Sequence, residues 1–267
     1  DFSGGIDISR GVSQLFGIDL AENFRRPYFS RNISEYWHRW HITLGAWLRE
    51  YLFYPIAMSK LFQKFGRSLK KHFGMKISKV LPVSIASLIT FIVVGIWHGA
   101  YWRYVGFGLW NGLIIMVSTL LEDKYAVWKK TLHIRDTNKL FILFQMFRTF
   151  LIVLVGYYFD IAPGFTAALK MMWLSITDFH ISELADPAIF DALGVSSASL
   201  ILVAIAVLAL LVCSIVQECS GRTLREMICS KGFWAEAGVF LLLFWVVAIF
   251  GVYGPGTNPA EFVYMQF

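Results

Sequence analysis

The sequence predicts an all-α, polytopic integral membrane protein with about five transmembrane helices and additional interfacial amphipathic helices. Three observations predict it. Five apolar stretches, residues 81–97, 104–121, 140–159, 199–216 and 233–252, each approach the length of about 20 residues that an α-helix needs to cross a hydrocarbon core. Hydrophobic residues make up 57% of the chain and charged residues only 16%, with a mean hydropathy of +0.59, outside the usual range of water-soluble domains. Charge of one sign gathers between those stretches, as loop asymmetry across a bilayer requires. The net charge of +6 is therefore read as a topology signal, with no nucleic-acid partner implied.

Taken in order, residues 6–17 place Ile6, Ile8, Val12, Leu15 and Phe16 at near-helical spacing, with Gly17 as a stop. They predict a short helix at or just inside the membrane. Residues 22–30, with Arg25, Arg26 and Pro27, show no sustained period and predict a connecting loop. Over residues 32–54, Asn32 and Glu35 fit a capping-box start, and Trp37, Trp40, His41, Leu44, Leu48 and Tyr51 recur at three and four residues. Arg39, Arg49 and Glu50 interrupt that face too often for a span. One amphipathic helix at the headgroup boundary is predicted, ended or kinked by Pro55.

Residues 60–79 carry Lys60, Lys64, Arg67, Lys70, Lys71, Lys76 and Lys79 without an acidic residue, which predicts a cytoplasmic loop. The first span then runs outward and the second returns to Lys124, Lys129, Lys130, Arg135 and Lys139. Gln145 and Arg148 enter the third span near its inner boundary, where arginine can snorkel. Residues 160–198 set Asp160, Asp178, Glu183, Asp186 and Asp191 against Lys170 alone, predicting an external segment with a surface helix over residues 164–174. The fourth span leads to Arg222, Arg225 and Lys231 inside, and the fifth leaves the C-terminus outside. Without an internal repeat, residues 1–267 read as a single membrane domain rather than an inverted-repeat transporter. The opening Asp1-Phe2-Ser3-Gly4 reads as the start of the C-terminal part of a longer protein.

Chemistry narrows to two imidazoles. His72 and His133 fall in basic segments and His180 in the acidic one, where solvated loop roles suffice. His41 and His98 each follow a tryptophan directly, in aromatic stretches bordering the membrane, and an ionisable group there is costly enough to suggest function. A neutral histidine, with an ordinary pKa near 6.5, can take a proton from a hydroxyl at neutral pH. Acyl transfer to an alcohol needs little more: a base, a thioester carbonyl, and donors for the oxyanion such as Asn111, an indole N–H or a second imidazole. No HExxH, paired-carboxylate, Cys/His metal, Walker A or GxSxG pattern occurs, so no metal site is expected. Cys213, Cys219 and Cys229 have no CxxC spacing. Gly106, Gly108 and Gly112 predict close helix packing.

Two motifs carry a more specific resemblance. Asn32-Ile-Ser-Glu-Tyr-Trp-His-Arg-Trp-His-Ile-Thr-Leu, followed by Trp47-Leu-Arg-Glu-Tyr-Leu and Tyr54-Pro55, resembles the first signature of the membrane-bound O-acyltransferases, in the branch of alginate O-acetylases and the teichoic-acid D-alanyl transfer protein. Gly95-Ile-Trp-His-Gly-Ala, with Trp102 and Gly108-Leu-Trp-Asn-Gly, resembles the second. The opening Asp1-Phe-Ser-Gly and the ending Tyr253-Gly-Pro-Gly through Phe267 are similar as well.

The resemblance implies that His98 holds the position of the family's essential histidine, in a tunnel from a cytoplasmic donor site to an outer acceptor site, with His41 at its inner mouth. It implies a small acyl group, acetyl, moving from acetyl-CoA or an acyl-carrier protein to an exported polysaccharide or an extracellular relay acyltransferase. No tightly bound cofactor is implied, and the setting is the lipid of the cytoplasmic membrane. Trp37, Arg39, Trp40, Arg49, Trp97 and Asn111 are the expected substrate-side residues. His38 receives no role, and Asp160 stands where relatives often carry a basic residue. A straight helix from residue 81 would put His98 about 25 Å along a core of about 30 Å, nearer the outer face than the midplane. Two rival functions remain at this level: D-alanyl transfer to teichoic acid, and a channel or proton-coupled carrier with His98 as relay.

Overall fold

Apolar length and helical period carry directly into the structure. A computed structural model describes residues 2–180, 182, 187–192 and 196–251. Among these every regular element is helical, and the one β-type contact is an isolated bridge between Phe24 and Trp40. The chain divides into two compact units, Asp1–Phe179 and His180–Gln266.

The first unit opens with α1 (Phe2–Leu15), which Gly17 closes in a left-handed conformation (φ 74°). The single amphipathic helix expected over residues 32–54 is instead α2 (Ile33–Arg39), α3 (Ile42–Leu48), a π-helical turn (Arg49–Phe53) and α4 (Tyr54–Ala57). The break lies at Trp40, which is extended, and His41, which is left-handed at φ 46°. Its cause is tertiary. Arg25 N–H donates to Arg39 O at 2.9 Å and Ile42 N–H to Asn23 O at 3.0 Å, so the loop before α2 takes over backbone groups that a continuous helix would have paired internally. Asn32 caps α2 as expected, accepting from Glu35 N at 2.8 Å, but Glu35 reaches back to Arg31 N, one residue beyond the capping-box partner. Pro55 sits in the first turn of α4, where a missing N–H is harmless.

The expected loop over residues 60–79 is largely helical. It belongs to α5 (Lys60–His98), whose φ/ψ break at Gly74 (φ 81°, ψ 177°) divides it into two arms. A Cβ placed on Gly66 would lie 2.8 Å from Ser78 O, so the first arm returns against the second. Leu61, Phe62, Phe65 and Leu69 give that arm an apolar stripe among its lysines, while Gly74 supplies a reversal that other residues resist. Next come α6 (Trp102–Leu120), bent by 59° into α7 (Glu122–Thr131), then α8 (Lys139–Ile161) and α9 (Phe165–Thr177), the surface helix expected after the third span.

α5 and α6 meet backbone to backbone: a Cβ on Gly95 would lie 2.1 Å from Tyr104 O, one on Gly108 2.3 Å from Phe91 O, and one on Gly112 2.7 Å from the Leu88 side chain. The glycines predicted to pack helices do so. α2 lies across α6 and α8, burying Ile33 and Tyr36 with Val153, while Trp37 packs toward Phe107 and Phe159. Arg148 donates to Arg31 O at 2.8 Å and ties α8 to the start of α2.

In the second unit, α10 (Pro187–Ala192) precedes α11 (Ser197–Ser220), which Gly221 ends at φ 66°. The basic segment expected as a loop holds α12 (Leu224–Cys229), begun by a capping box between Thr223 and Glu226, and α13 (Phe233–Phe250) follows. Glu183, Asp186 and the Tyr253-Gly-Pro-Gly ending lie outside the described residues.

Four helices, α5, α8, α11 and α13, are long and apolar enough to cross a membrane, and the bent α6–α7 pair makes a fifth. Their exposed faces carry leucine, valine, isoleucine and phenylalanine, surface that water would penalise and acyl chains accept. The chain is an all-α, multi-pass membrane protein.

Candidate active site

His98 ends α5, followed by extended Gly99. Its ring is half-buried and enclosed by aromatics: Trp97 at 5.2 Å between centroids, Phe107 at 5.5 Å and Tyr104 at 6.3 Å. The glycine seam is what makes this possible, because it brings the first turns of α6 against the last turn of α5. Tyr104 is 1% exposed, and a Cβ on Gly99 would lie 2.4 Å from its ring. Arg103 secures that ring, with its guanidinium 4.6 Å above the Tyr104 centroid while it donates to Tyr104 Oη at 2.8 Å and Ala162 O at 2.7 Å.

His41 arrives from the break between α2 and α3. Its ring lies 6.5 Å from Trp97, 5.1 Å from Phe2 and 6.4 Å from Phe24, so both imidazoles neighbour the Trp97 indole and sit within electrostatic reach of each other. Burial holds His41 below its ordinary value of 6.5, which keeps it neutral at neutral pH. Nδ1 is 3.1 Å from Asn23 Oδ1.

The other expected site residues divide by what they touch. Trp37 donates from Nε1 to Asn111 Oδ1 at 3.2 Å, and Asn111 Nδ2 donates to Phe107 O at 2.9 Å. The two oxyanion donors suggested by sequence are thus bonded to each other, tying α2 to α6 behind Phe107. Arg39 pairs with Glu35 at 2.8 Å, and Trp40 stacks on Tyr36 at 5.8 Å. Trp97 is 58% exposed at the helix end, placed to cover His98 on one side. Arg49 donates to His38 Nε2 at 3.3 Å, while His38 Nδ1 faces Ser34 O at 2.7 Å. Sequence reasoning gave neither His38 nor Asn23 a role. His38 had a signal as a third histidine in the same aromatic stretch, between Trp37 and Arg39, but Asn23 had none, since its partners appear only once the loop folds onto the helix break. Among the described residues, no group of three metal-ligating side chains occurs.

The structure is thus a helical, multi-pass membrane scaffold that sets two imidazoles among aromatic rings near a helix end. The profile of the membrane-bound O-acyltransferase family matches residues 1–69. The chain is 30% identical over 209 residues to the probable alginate O-acetylase AlgI of Azotobacter vinelandii, an overlap of 78% of this chain and 36% of that protein. It is 28% identical over 158 residues to the teichoic acid D-alanyltransferase of Bacillus subtilis (59% and 36%), and 35% identical over 117 residues to the peptidoglycan O-acetyltransferase of Helicobacter pylori (44% and 19%). Over residues 1–69, and in its likeness to these relatives, the chain is similar to the membrane-bound O-acyltransferase family. It spans about a third of the length of the curated relatives that it matches, 36% and 33% for two of the alginate O-acetylases.

Proposed function

We propose that the protein is an O-acyltransferase of the cytoplasmic membrane. In this reading it moves an acetyl group from a cytoplasmic thioester, acetyl-CoA or an acyl-carrier protein, to a hydroxyl of an exported polysaccharide or of a relay acyltransferase outside. The observation that carries this reading is the pair His41 and His98, brought from distant stretches of the sequence to the same Trp97 indole. His98 removes the acceptor hydroxyl proton as the oxygen attacks the thioester carbonyl. The carbon–sulfur bond then breaks, and the imidazolium returns its proton to the departing thiolate, so that charge and protons balance.

His41, Trp37, Trp40, Arg39 and Arg49 line or orient the donor side, with Arg39 paired to Glu35 and Arg49 held against His38. Acetyl is favoured by the relatives named as O-acetylases. The B. subtilis relative supports D-alanyl transfer as a second reading.

The test is transfer of radiolabelled acetyl from acetyl-CoA, or from acetylated carrier protein, in membranes containing the complete protein. His98→Ala should lower the rate by roughly 10²- to 10⁴-fold, the contribution of a positioned base, at unchanged membrane insertion. Full activity of that variant rejects the assignment. Mass spectrometry of the acceptor separates acetyl from D-alanyl, and solute flux in liposomes without a thioester would favour the carrier alternative.

A further inference from the structure

Three donors converge on the side-chain oxygen of Asn23. Thr43 N–H lies at 3.1 Å, Thr43 Oγ1 at 2.7 Å and His41 Nδ1 at 3.1 Å. The backbone N–H settles the chemistry of the cluster. It can only donate, so the Asn23 atom facing it must be the carbonyl oxygen and not the amide nitrogen. An oxygen of a neutral amide can only accept, so the ring nitrogen beside it must carry a proton. That leaves Nε2 as the lone-pair nitrogen of neutral His41.

The local backbone explains why Asn23 does this rather than a residue nearer in sequence. His41 is the N-cap residue of α3, yet its own side chain makes no cap. Its left-handed backbone, φ 46° and ψ 56°, turns the ring away from that duty. Two of the N–H groups at the start of α3 are met instead from Asn23, Ile42 N by the backbone carbonyl at 3.0 Å and Thr43 N by the side chain. The residue that completes the helix start therefore also orients the imidazole.

From this geometry we infer that Asn23 is a positioning residue which holds His41 in the Nδ1–H tautomer, so that Nε2 serves as a hydrogen-bond acceptor toward a substrate N–H or O–H. This rests on the acyl-transfer reading for its substrate, but not for the tautomer. It also decides between roles. A neutral His41 in this tautomer cannot donate from Nε2 to an oxyanion, so its task is to accept. The titratable group facing it from the neighbouring span is His98, and Asn23, Phe2, Phe24 and Trp97 add no charge around the ring.

The test uses the full protein labelled with 15N-imidazole histidine, its His41 signals assigned by their loss in His41→Gln. Wild type should show a protonated, pyrrole-type Nδ1 and an unprotonated Nε2. Asn23→Ala should lose that preference. Asn23→Asp keeps the acceptor for Thr43 and sets a carboxylate on the Nδ1–H, so it should retain the tautomer and move the His41 titration to higher pH. A pyrrole-type Nε2 in wild type, or the same tautomer in Asn23→Ala, overturns the proposal. So does an unmoved titration in a folded Asn23→Asp protein.

In the transfer assay Asn23→Ala should lose roughly 10- to 100-fold in kcat, as when a reacting group is mis-set, and Asn23→Asp should recover much of it near neutral pH. Equal rates for wild type and Asn23→Ala would overturn the positioning role. Because the tautomer is read without substrate, its failure is separate from a failure of acyl transfer itself.

Discussion

Replacing Gly108 by alanine sets a methyl group 2.3 Å from Phe91 O, where ordinary van der Waals contact begins at 3.4 Å. The shortfall is about 1.1 Å, and the obstacle is backbone on both sides, with Ile92 Cα at 3.0 Å, so no side-chain rotation relieves it. α6 must move away from α5 or the helices must tilt. Overpacking of this kind costs about 1–3 kcal/mol, equivalent to a fall of roughly 3–10 °C in melting temperature for a unit of this size. Of the rings beside His98, Tyr104 lies one turn before Gly108 and Phe107 directly before it, so both move with it, and a displacement near 1 Å at a reacting group can cost about 10²-fold in rate. The assay is thermal unfolding of detergent-solubilised protein by tryptophan fluorescence, with acyl transfer alongside. Gly11→Ala is the control: its Cβ meets nothing within 4 Å in the interior of α1, so it should be neutral or stabilising by up to about 1 kcal/mol. Equal melting of Gly108→Ala and wild type would refute the backbone seam.

Other perturbations test other links. Trp37→Phe removes the indole donor and strands Asn111 Oδ1, whose residue is 3% exposed, so stability should fall by about 1–3 kcal/mol in the same melts. If Trp37→Phe and Asn111→Leu combine additively, the tether is not energetically coupled. Gly74→Ala forces a side chain into a conformation open essentially to glycine (φ 81°, ψ 177°) and should cost about 1–3 kcal/mol, with increased proteolysis between residues 66 and 78 as the arm swings out. For His41, burial lowers the folded value below 6.5, so the unfolded chain binds the proton first as pH falls. Its contribution to stability is complete above pH 6.5 and is lost as pH drops through the folded value. His41→Gln should therefore flatten the acid side of the melting-temperature profile, and an unchanged profile would count against its burial.

How much could be read without coordinates depends on the range of the interaction involved. Helical class, the positions of the spans, the aromatic face of α2, the cap at Asn32 and the packing role of the glycines rest on residues within a few turns of one another, so composition and period suffice. His41 and His98 stood out because an ionisable ring in an apolar stretch is conspicuous by itself. Arg39, Trp37 and Asn111 were equally conspicuous, but which partners occupy their hydrogen-bonding groups was not legible. The basic run over residues 60–79 misled because charge marks a membrane face without saying whether the chain there is coiled or helical.

From its residues alone, then, this chain is determined to be helical, membrane-spanning and equipped with two imidazoles of interest, since apolar length, period and desolvation cost are local properties. The tertiary structure alone decides that the helix breaks at Trp40 and His41, that α5 doubles back at Gly74, and that Asn23 meets His41. Each of these depends on groups from separate stretches of the chain meeting, through hydrogen bonds at the Trp40–His41 break and at Asn23 and through close packing of the two arms of α5. Such a pairing exists only after the chain has folded.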